Sequence, residues 1–489
     1  MTVRIYNTLS QKKEDFEPQT PPQVSMYVCG VTPYDETHLG HGRAYVTFDV
    51  VRRYLEYSDY KVNYIQNVTD VDDKIIAKAQ GAKDIKQKCA EIVKQYFDSY
   101  QDVMSKLNVK PPSNYPKATE HIDDMVKIIQ TLIDKGFAYA IKVGDASDVY
   151  FEVAKFNGYG KLSKRKLEDM EAGARVEIDK RKKSPHDFAL WKAAKEGEPS
   201  WDSPWGKGRP GWHIECSVMS SKYLGQTFDI HGGGRDLIFP HHENEIAQAE
   251  AATGKLFAKY WMHNGFVNIN KQKMSKSLGN FFTLKDIFEK FDPMVVRLFL
   301  LQTHYRSPID FSDQQLTEAS SAYGRLVKFI QDVDFILGKT TETAPQIEIE
   351  DIQEDLLEYN EKFTKEMDDD FNTAGAIAAI FEMIHFCHKT LDEGEAEKEC
   401  LEIMKKSVLD LCEVLGIKLE TKAKIELGGM GGAIDDSPEV KKIEDQIAER
   451  EAARKNKDFN KADKIRDKLK AQGIILEDTS LGTKWSAVK

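Results

Sequence analysis

A chain of 489 residues is too long for one ordinary domain, and 41% hydrophobic with 30% charged residues excludes disorder of the whole. The net charge of −11 speaks against a protein that coats nucleic acid by bulk charge, while leaving room for a local basic face. No run of 18 apolar residues marks a membrane span, the first six residues lack the basic-then-apolar start of a signal peptide, and six scattered cysteines without a CxxC argue against a disulfide framework, so a cytoplasmic protein is expected.

In chain order, Val24, Met26 and Val28 alternate and stop at Cys29-Gly30, which predicts a strand ending in a turn. Ala44, Val46, Phe48, Val51 and Tyr54 predict a helix over about 40–57, and Val62-Asn63-Tyr64-Ile65-Gln66-Asn67 predicts a second strand. Strand, helix, strand at this spacing predicts a parallel sheet. From about 116 to 200 the alternation is interrupted by helices, one short strand at 149–153 and a basic stretch at 180–183. It resumes with a strand at 227–230, a helix from about Pro240 and an extended segment over 260–269. Beyond about 285 the pattern is helical, with long 3.6-residue periodicity at 312–338 and 353–416. Gly428-Gly429-Met430-Gly431-Gly432 has the composition of a flexible linker. Residues 439–472 then predict two charged helices broken near Lys457-Asp458-Phe459, with an extended tail over 474–485.

The expected fold class is therefore α/β, a parallel sheet split by an insertion, followed by an α-helical bundle and a small C-terminal α/β module. The expected boundaries are 1–115 and 201–270 for the two halves of the sheet domain, 116–200 for the insertion and 271–311 for a connecting region. The bundle takes 312–426, the linker 427–438 and the C-terminal module 439–489.

Three groups of residues carry chemistry. Thr37-His38-Leu39-Gly40-His41-Gly42-Arg43 follows the first strand and opens a helix, whose free N–H groups and positive dipole end suit an anion. Gly40 permits close backbone approach, and His38 and His41 add donors for phosphate oxygens; a structural turn with surface histidines is the alternative. Lys273-Met274-Ser275-Lys276-Ser277 places two lysines and two serines where they can grip a polyphosphate, although such loops are also common on surfaces. Cys29, Cys216, His241 and Glu245 offer two thiolates, an imidazole and a carboxylate, the last two at i and i+4 on one helical face. That spacing is neither a zinc finger nor a ribbon. The residues alone leave metal binding open against a buried thiol at Cys29 and an exposed polar helix start at His241.

His-x-Gly-His after an early strand, with Lys-Met-Ser-Lys-Ser on a later loop, resembles the two-part signature of class I aminoacyl-tRNA synthetases. Within that class the chain resembles the cysteinyl-tRNA synthetase family. The resemblance is carried by Tyr27-Val28-Cys29-Gly30-Val31-Thr32-Pro33-Tyr34-Asp35, Asn67-Val68-Thr69-Asp70, Gly211-Trp212-His213-Ile214-Glu215-Cys216-Ser217 and Asp229-Ile230-His231-Gly232-Gly233-Gly234-Arg235-Asp236-Leu237. It continues through Ser184-Pro185-His186-Asp187-Phe188, His304-Tyr305-Arg306-Ser307-Pro308 and Asp368-Asp369-Asp370-Phe371-Asn372-Thr373 into the tail at Leu476-Glu477-Asp478-Thr479, so it spans nearly the whole chain. Leucine at the variable position of the first signature changes packing and not chemistry.

This resemblance implies a Rossmann-type catalytic domain that joins L-cysteine to tRNA(Cys) at the expense of ATP, through a cysteinyl-adenylate. It implies one Zn2+ per chain on Cys29, Cys216, His241 and Glu245, selecting the substrate thiolate, and Mg2+ accompanying ATP. His38, His41, Lys273 and Lys276 are the implied catalytic residues. ATP contacts are implied for His38, Gly40, His41, His231, Gly233, Asp236 and Lys276. Substrate contacts are implied for Cys29, Gly30, Thr69, Trp212 and His231, with Trp212 an aromatic wall or, alternatively, a core tryptophan. His213 and His242 are expected to support the site and not to bind metal.

Residues 439–489 are the implied anticodon-reading module. They hold 13 Lys and Arg against 10 Asp and Glu, a net of +3 that leaves −14 for the rest of the chain. Phe459 and Trp485 there suit either stacking on unpaired bases or a small core. A monomer is expected. A related ligase that joins cysteine to an amino sugar would have no use for this tail, and a non-catalytic relative would be expected to lose signature residues that are present here.

Overall fold

A hairpin of β1 (Arg4–Asn7) and β2 (Lys12–Asp15) leads into β3 (Gln23–Val31), α1 (Leu39–Tyr57) and β4 (Lys61–Val68). The computed structural model describes residues 2–166, 180–269, 272–273, 282–338, 349–393, 397–419, 438–479 and 482–487. β3 buries Val24, Met26, Tyr27 and Val28 in succession, as a strand covered on both faces does. β4 is followed by α2 (Asp73–Ala79), α3 (Ile85–Lys106) and α4 (Ile122–Asp134).

The interrupting segment differs from the sequence expectation of helices with one short strand. After α4 it forms an antiparallel sheet of β5 (Ala138–Val143), β6 (Ala146–Phe151), β7 (Phe188–Ala193) and β8 (Gly208–Pro210), in that order. The sheet runs past residue 200 because Trp191, Lys192 and Ala193 pair with Pro210, Arg209 and Gly208. A register shift between Val149 and Tyr150 breaks the pairing of β6 with β7 and interrupts the period-2 pattern there.

The parallel sheet is completed by α5 (Trp212–Leu224), β9 (Phe228–Gly234), α6 (Glu243–Thr253) and β10 (Ala258–Asn264). Its order is β10-β9-β3-β4, and every neighbouring pair is parallel. The single extended segment expected over 260–269 is two strands. β10 ends at Asn264, and β11 (Val267–Ile269) joins a second sheet with β12 (Gln272–Lys273) and, beyond α7 (Leu284–Phe288) and α8 (Pro293–Leu301), with β13 (Ile309–Phe311). Gly265 makes the break, because a Cβ there would lie 2.3 Å from the Ser307 carbonyl oxygen.

Four helices follow, α9 (Asp313–Leu337), α10 (Ile349–Asp368), α11 (Thr373–Glu393) and α12 (Lys398–Val414). The Gly-rich linker expected at 427–438 lies almost wholly outside the described residues. Two helices, Pro438–Lys455 and Phe459–Ala471, then precede an antiparallel hairpin of Ile474–Thr479 with Gly482–Ala487.

The chain divides into two compact units. The first comprises Met1–Ala319, Thr364–Ala376 and Val414–Gly416. The second comprises Ser320–Phe363, Ile377–Glu413 and Ile417–Lys489. Within the second, Trp485 is buried with Ile447, Leu469 and Ile474, while Phe459 is 60% exposed. Of the two aromatic residues singled out for base stacking, only Phe459 presents a free face. No helix among the described residues is long and apolar enough to cross a membrane.

The first unit is tied internally by a buried ion cluster. Asp49 on α1 accepts from Arg53 Nε at 2.8 Å, from the Lys110 main-chain N–H at 2.8 Å and from Arg297 on α8. Arg297 also donates to the carbonyls of Leu107 at 2.7 Å and Leu415 at 2.8 Å. Removing one partner of such a cluster strands a buried charge, which typically costs about 3–5 kcal/mol. Arg297→Met is therefore expected to lower the first unfolding transition in denaturant by an amount of that order, and a loss below about 1 kcal/mol would contradict it.

Candidate functional site

In an open parallel sheet, ligands collect at the carboxyl ends of the strands where the order reverses. Here that point lies between β3, whose chain continues to β4 on one side, and β9, whose chain continues to β10 on the other. A cleft of about 390 Å³ opens there. Its walls include Cys29 and Gly30 from the end of β3, His38, Gly40 and His41 from the start of α1, Trp212, and Gly233 and Asp236 beyond β9. Gly30 has no alternative, because a Cβ would lie 1.5 Å from the Asn67 carbonyl oxygen, and its N–H donates to Asn67 Oδ1 at 2.8 Å.

His38 caps α1 with extended backbone angles. Its Nδ1 accepts from the His41 N–H at 3.3 Å, His41 Nδ1 faces the His38 N–H at 3.4 Å, and the two rings stack with centroids 3.7 Å apart. Such a reciprocal cap is ordinarily built from Ser or Thr with Glu or Gln. Using two imidazoles instead leaves the first turn without an acidic residue. The positive end of the helix dipole is then not cancelled where the cleft meets it.

The second feature is a buried cluster beside Trp212. Cys29 Sγ lies 3.9 Å from Cys216 Sγ and 3.5 Å from Glu245 Oε1, and His241 Nε2 lies 3.0 Å from the same Glu245 oxygen. The four donor atoms fall within 4.8 Å of one another. A tetrahedral zinc shell puts two sulfurs about 3.8 Å apart and a sulfur and an oxygen about 3.5 Å apart, so the donor set fits that ion in kind and in spacing. His241 keeps its other ring nitrogen, Nδ1, 2.8 Å from His213 Nδ1, and its ring stacks on Trp212 at 4.1 Å. Such outer contacts orient a ligating imidazole.

Cys29, His231, His242 and Glu245 form a second compact quartet that shares two of these residues. His242 Nε2 lies 3.2 Å from Cys29 Sγ, and His242 Nδ1 faces His263 Nε2 at 2.8 Å. His242 is thus closer to the donors than its expected supporting place suggested, and its second nitrogen is engaged as a supporting residue's would be.

Charge within the cluster is uneven. Burial, and then the neighbouring Cys216, push the Cys29 thiol well up. The Cys29 S–H donates to Cys216, which with help from His241 outweighs burial and lowers Cys216 to about 6. Burial would raise Glu245, but His231 and His241 hold its carboxyl well below the usual range. Burial would lower His241, but Glu245 and Cys216 raise it to about 10. At neutral pH a thiolate and a carboxylate therefore lie among imidazoles in a buried cluster, a donor set suited to a cation.

The structure brings Cys29, Gly30, His38, Gly40, His41, Trp212, Gly233 and Asp236 to one cleft, with Cys216, His241 and Glu245 at its inner end. Trp212 is 41% exposed and is not a core residue. Two residues expected to contact ligands are not among those lining the cleft. His231 is fully buried, and β9 turns it toward Glu245 Oε2 at 2.8 Å and onto the Trp261 ring at 4.3 Å. Thr69 is also buried, with its hydroxyl accepting from Asn67 Nδ2 at 3.2 Å, and does not reach the cleft wall. Lys273 falls in β12, where only the backbone is described, and Lys276 lies outside the described residues. Sequence reasoning missed Asn67, Asn264 and Phe266, which shape the cleft by holding backbone or lining it. The available signal for the two asparagines was a polar residue at or near the end of a strand, and Phe266 carried none.

Comparison with known proteins accords with this geometry. Residues 15–321 match the family model described as tRNA synthetases class I (C) catalytic domain, and residues 362–420 match a DALR domain. The chain is 51% identical over 491 residues to a cysteine–tRNA ligase of Geobacter metallireducens, covering 99% of both proteins. It is 48% identical to one of Carboxydothermus hydrogenoformans, covering 99% of this chain and 100% of that protein. Among solved structures, the fold resembles methionyl-tRNA synthetase of Mycobacterium tuberculosis with methionyl-adenylate, with a TM-score of 0.58, 14% identity and coverage of 82% of this chain and 93% of that one. A leucyl-tRNA synthetase complex from Agrobacterium radiobacter gives a TM-score of 0.60 at 11% identity, covering 83% and 86%.

The remaining cysteines, Cys89, Cys387, Cys400 and Cys412, are all raised by burial. Protein stripped of metal should therefore show a single thiol ionisation centred near pH 6, seen as thiolate ultraviolet absorbance that appears as the pH rises. The step should vanish in Cys216→Ser, and its persistence there would reassign the low-pKa thiol.

Proposed function

Because this chain belongs to the cysteine–tRNA ligase family of class I aminoacyl-tRNA synthetases, we propose that it charges tRNA(Cys) in two steps within the cleft at the β3–β9 switch point. The observation that carries this reading is the buried set of two thiols, an imidazole and a carboxylate beside the exposed face of Trp212, a few residues from the His38-capped start of α1.

In the first step the cysteine carboxylate oxygen attacks the α-phosphorus of ATP. The bond to the bridging oxygen breaks, and cysteinyl-adenylate and pyrophosphate result. Little covalent work falls to the protein, so positioning and charge stabilisation account for the rate. His38 and His41, at the open end of a helix dipole, donate to phosphate oxygens as charge builds, and Gly40 lets the backbone approach. Gly233 and Asp236 form the nucleotide side. Lys273 and Lys276 neutralise the departing pyrophosphate, with Mg2+ travelling on ATP as part of the substrate. In the second step a hydroxyl of the 3′-terminal ribose attacks the acyl carbon and AMP leaves.

Cysteine must be told from serine, and pocket shape alone separates such near-isosteres by only roughly 10–200-fold. Zinc held by Cys29, Cys216, His241 and Glu245 would supply a soft Lewis acid that favours a thiolate over a hydroxyl. Around it, Gly30 admits the amino acid close to the backbone and Trp212 covers it. The module at 439–489 reads the anticodon, with the exposed Phe459 ring available for stacking.

The direct test is cysteine-dependent ATP–pyrophosphate exchange followed by charging of purified tRNA(Cys). Exchange without charging, or neither, would overturn the reading. Metal analysis should find one zinc per chain, and Cys216→Ser should lose it while the KM for cysteine rises steeply. Ready activation of serine by the parental protein would mean that the thiol is not read by a metal. Lys276→Ala should lower kcat for adenylate formation by about two to three orders of magnitude, the usual loss of roughly 3–4 kcal/mol for one transition-state donor. An unchanged rate of adenylate formation in a single-turnover measurement, with cysteine affinity altered instead, would place Lys276 in another role.

A further inference from the structure

Arg43 lies two residues beyond His41, about 200° further round α1. It is buried and is absent from the cleft wall. Its guanidinium donates to the main-chain oxygens of Leu300, of Thr303 at 3.0 Å, of His304 at 2.8 Å and, more weakly, of Ser307 at 3.5 Å. One fork thus gathers the carbonyls of the turn at 300–307.

The same turn is held a second time by Asp370, itself fully buried. Asp370 accepts from the Tyr305 hydroxyl at 2.8 Å, from Arg306 Nε at 2.6 Å and from the Tyr6 N–H at 2.8 Å. Thr373 adds a bond from its hydroxyl to the Leu301 carbonyl at 2.6 Å.

The turn in turn shapes one wall of the cleft. The Gly265 N–H donates to the Tyr305 carbonyl at 2.7 Å, and the Ile309 N–H donates to the Phe266 carbonyl at 2.9 Å. Val267 then pairs with Ile309 in the short parallel sheet. Asn264, Gly265, Phe266 and Val267 line the cleft. Gly265 sits hard against Ser307, so any displacement of the turn must move the wall with it.

We propose that Arg43 and Asp370 are positioning residues for the nucleotide. Both clamp the 300–307 turn, and through Tyr305 the turn fixes the wall at 264–267 against which ATP lies. The device couples the back of the signature helix, whose front meets the phosphates, to the opposite wall of the same cleft. Arginine is required because a planar fork reaches several carbonyls at once, whereas a lysine ammonium keeps the charge and loses the geometry. This inference rests on the reading of the cleft as an ATP site.

The test is ATP–pyrophosphate exchange by the full-length protein, with ATP and cysteine varied separately, alongside zinc content and thermal unfolding. Arg43→Lys should raise the KM for ATP by about tenfold or more, and Tyr305→Phe, which removes only the hydroxyl bond to Asp370, by a few-fold, in both cases with zinc content and the KM for cysteine at parental values. Parental KM values for ATP in folded variants would overturn the proposal. So would equal losses for ATP and cysteine, since a merely structural role would weaken both. If Arg43→Lys does not fold, Tyr305→Phe decides alone. Absence of exchange in the parental protein would instead overturn the ATP reading, and this inference with it.

Discussion

The pairing of β3 with β9 is the contact on which the site depends. Only three residue pairs make it, Met26 with Ile230, Tyr27 with His231 and Val28 with Gly232. Asp229 reinforces the seam, its carboxylate accepting from the Gln19 N–H at 2.8 Å, the Ser25 N–H at 2.9 Å and the Ser25 hydroxyl at 2.7 Å. Partners some two hundred positions apart are expensive to bring together, because closure entropy must be offset before any contact forms. The return is local. Cys29 leaves the end of β3 beside α5 and α6, which carry Cys216 and Glu245, so one short seam converts four distant residues into one donor set.

Buried charge is handled in three ways in the same unit. Arg297 is neutralised by Asp49 and by carbonyls of two other segments. Arg43 meets carbonyl dipoles, and burial lowers its pKa to about 10, which still leaves it charged at neutral pH. The donor cluster beside the cleft is different, since its thiolate and carboxylate are matched with imidazoles and not with a guanidinium. The first two arrangements are complete without a ligand and fix elements in place. The third gathers donor atoms of the kind that hold a metal, and its Cys29 lines the cleft.

The sequence made the parallel sheet and the two chemical groups legible for different reasons. β3 shows because Val24, Met26 and Val28 alternate up to a Cys-Gly break, β4 because β-branched and aromatic residues follow a helix at crossover spacing, and α1 because its apolar spacing follows a strand end. The donor residues show as types and not as a constellation, since nothing in the spacing of 29, 216, 241 and 245 encodes the β3–β9 seam; family resemblance supplied that step. The antiparallel sheet of the insertion was hidden in part by a bulge at Val149, while the alternation of Tyr139, Ile141 and Val143 in its edge strand was legible and was passed over. The split of 260–269 was hidden because Gly265 acts through a non-local carbonyl, that of Ser307, and not through local turn chemistry.

His231 shows how a residue can matter at a place other than the one its motif suggests. It lies in a parallel strand just before three glycines, a setting associated with nucleotide contact, yet the strand directs it into the core. There its Nδ1 has no hydrogen-bond partner among the described residues, and its Nε2 lies 2.8 Å from Glu245 Oε2, to whose carboxylate it donates. One carboxylate oxygen is thereby occupied, and the other, Oε1, is left facing Cys29 and His241. Stacking on Trp261 holds the imidazole plane, so the donor oxygen is aimed by a ring that never reaches the cleft. Of the four donors the carboxylate is the hardest, and its direction is set by a hydrogen bond from outside its own helix as well as by that helix. A hydrogen bond to a charged group is worth about 1.5–3 kcal/mol net, enough to choose an orientation.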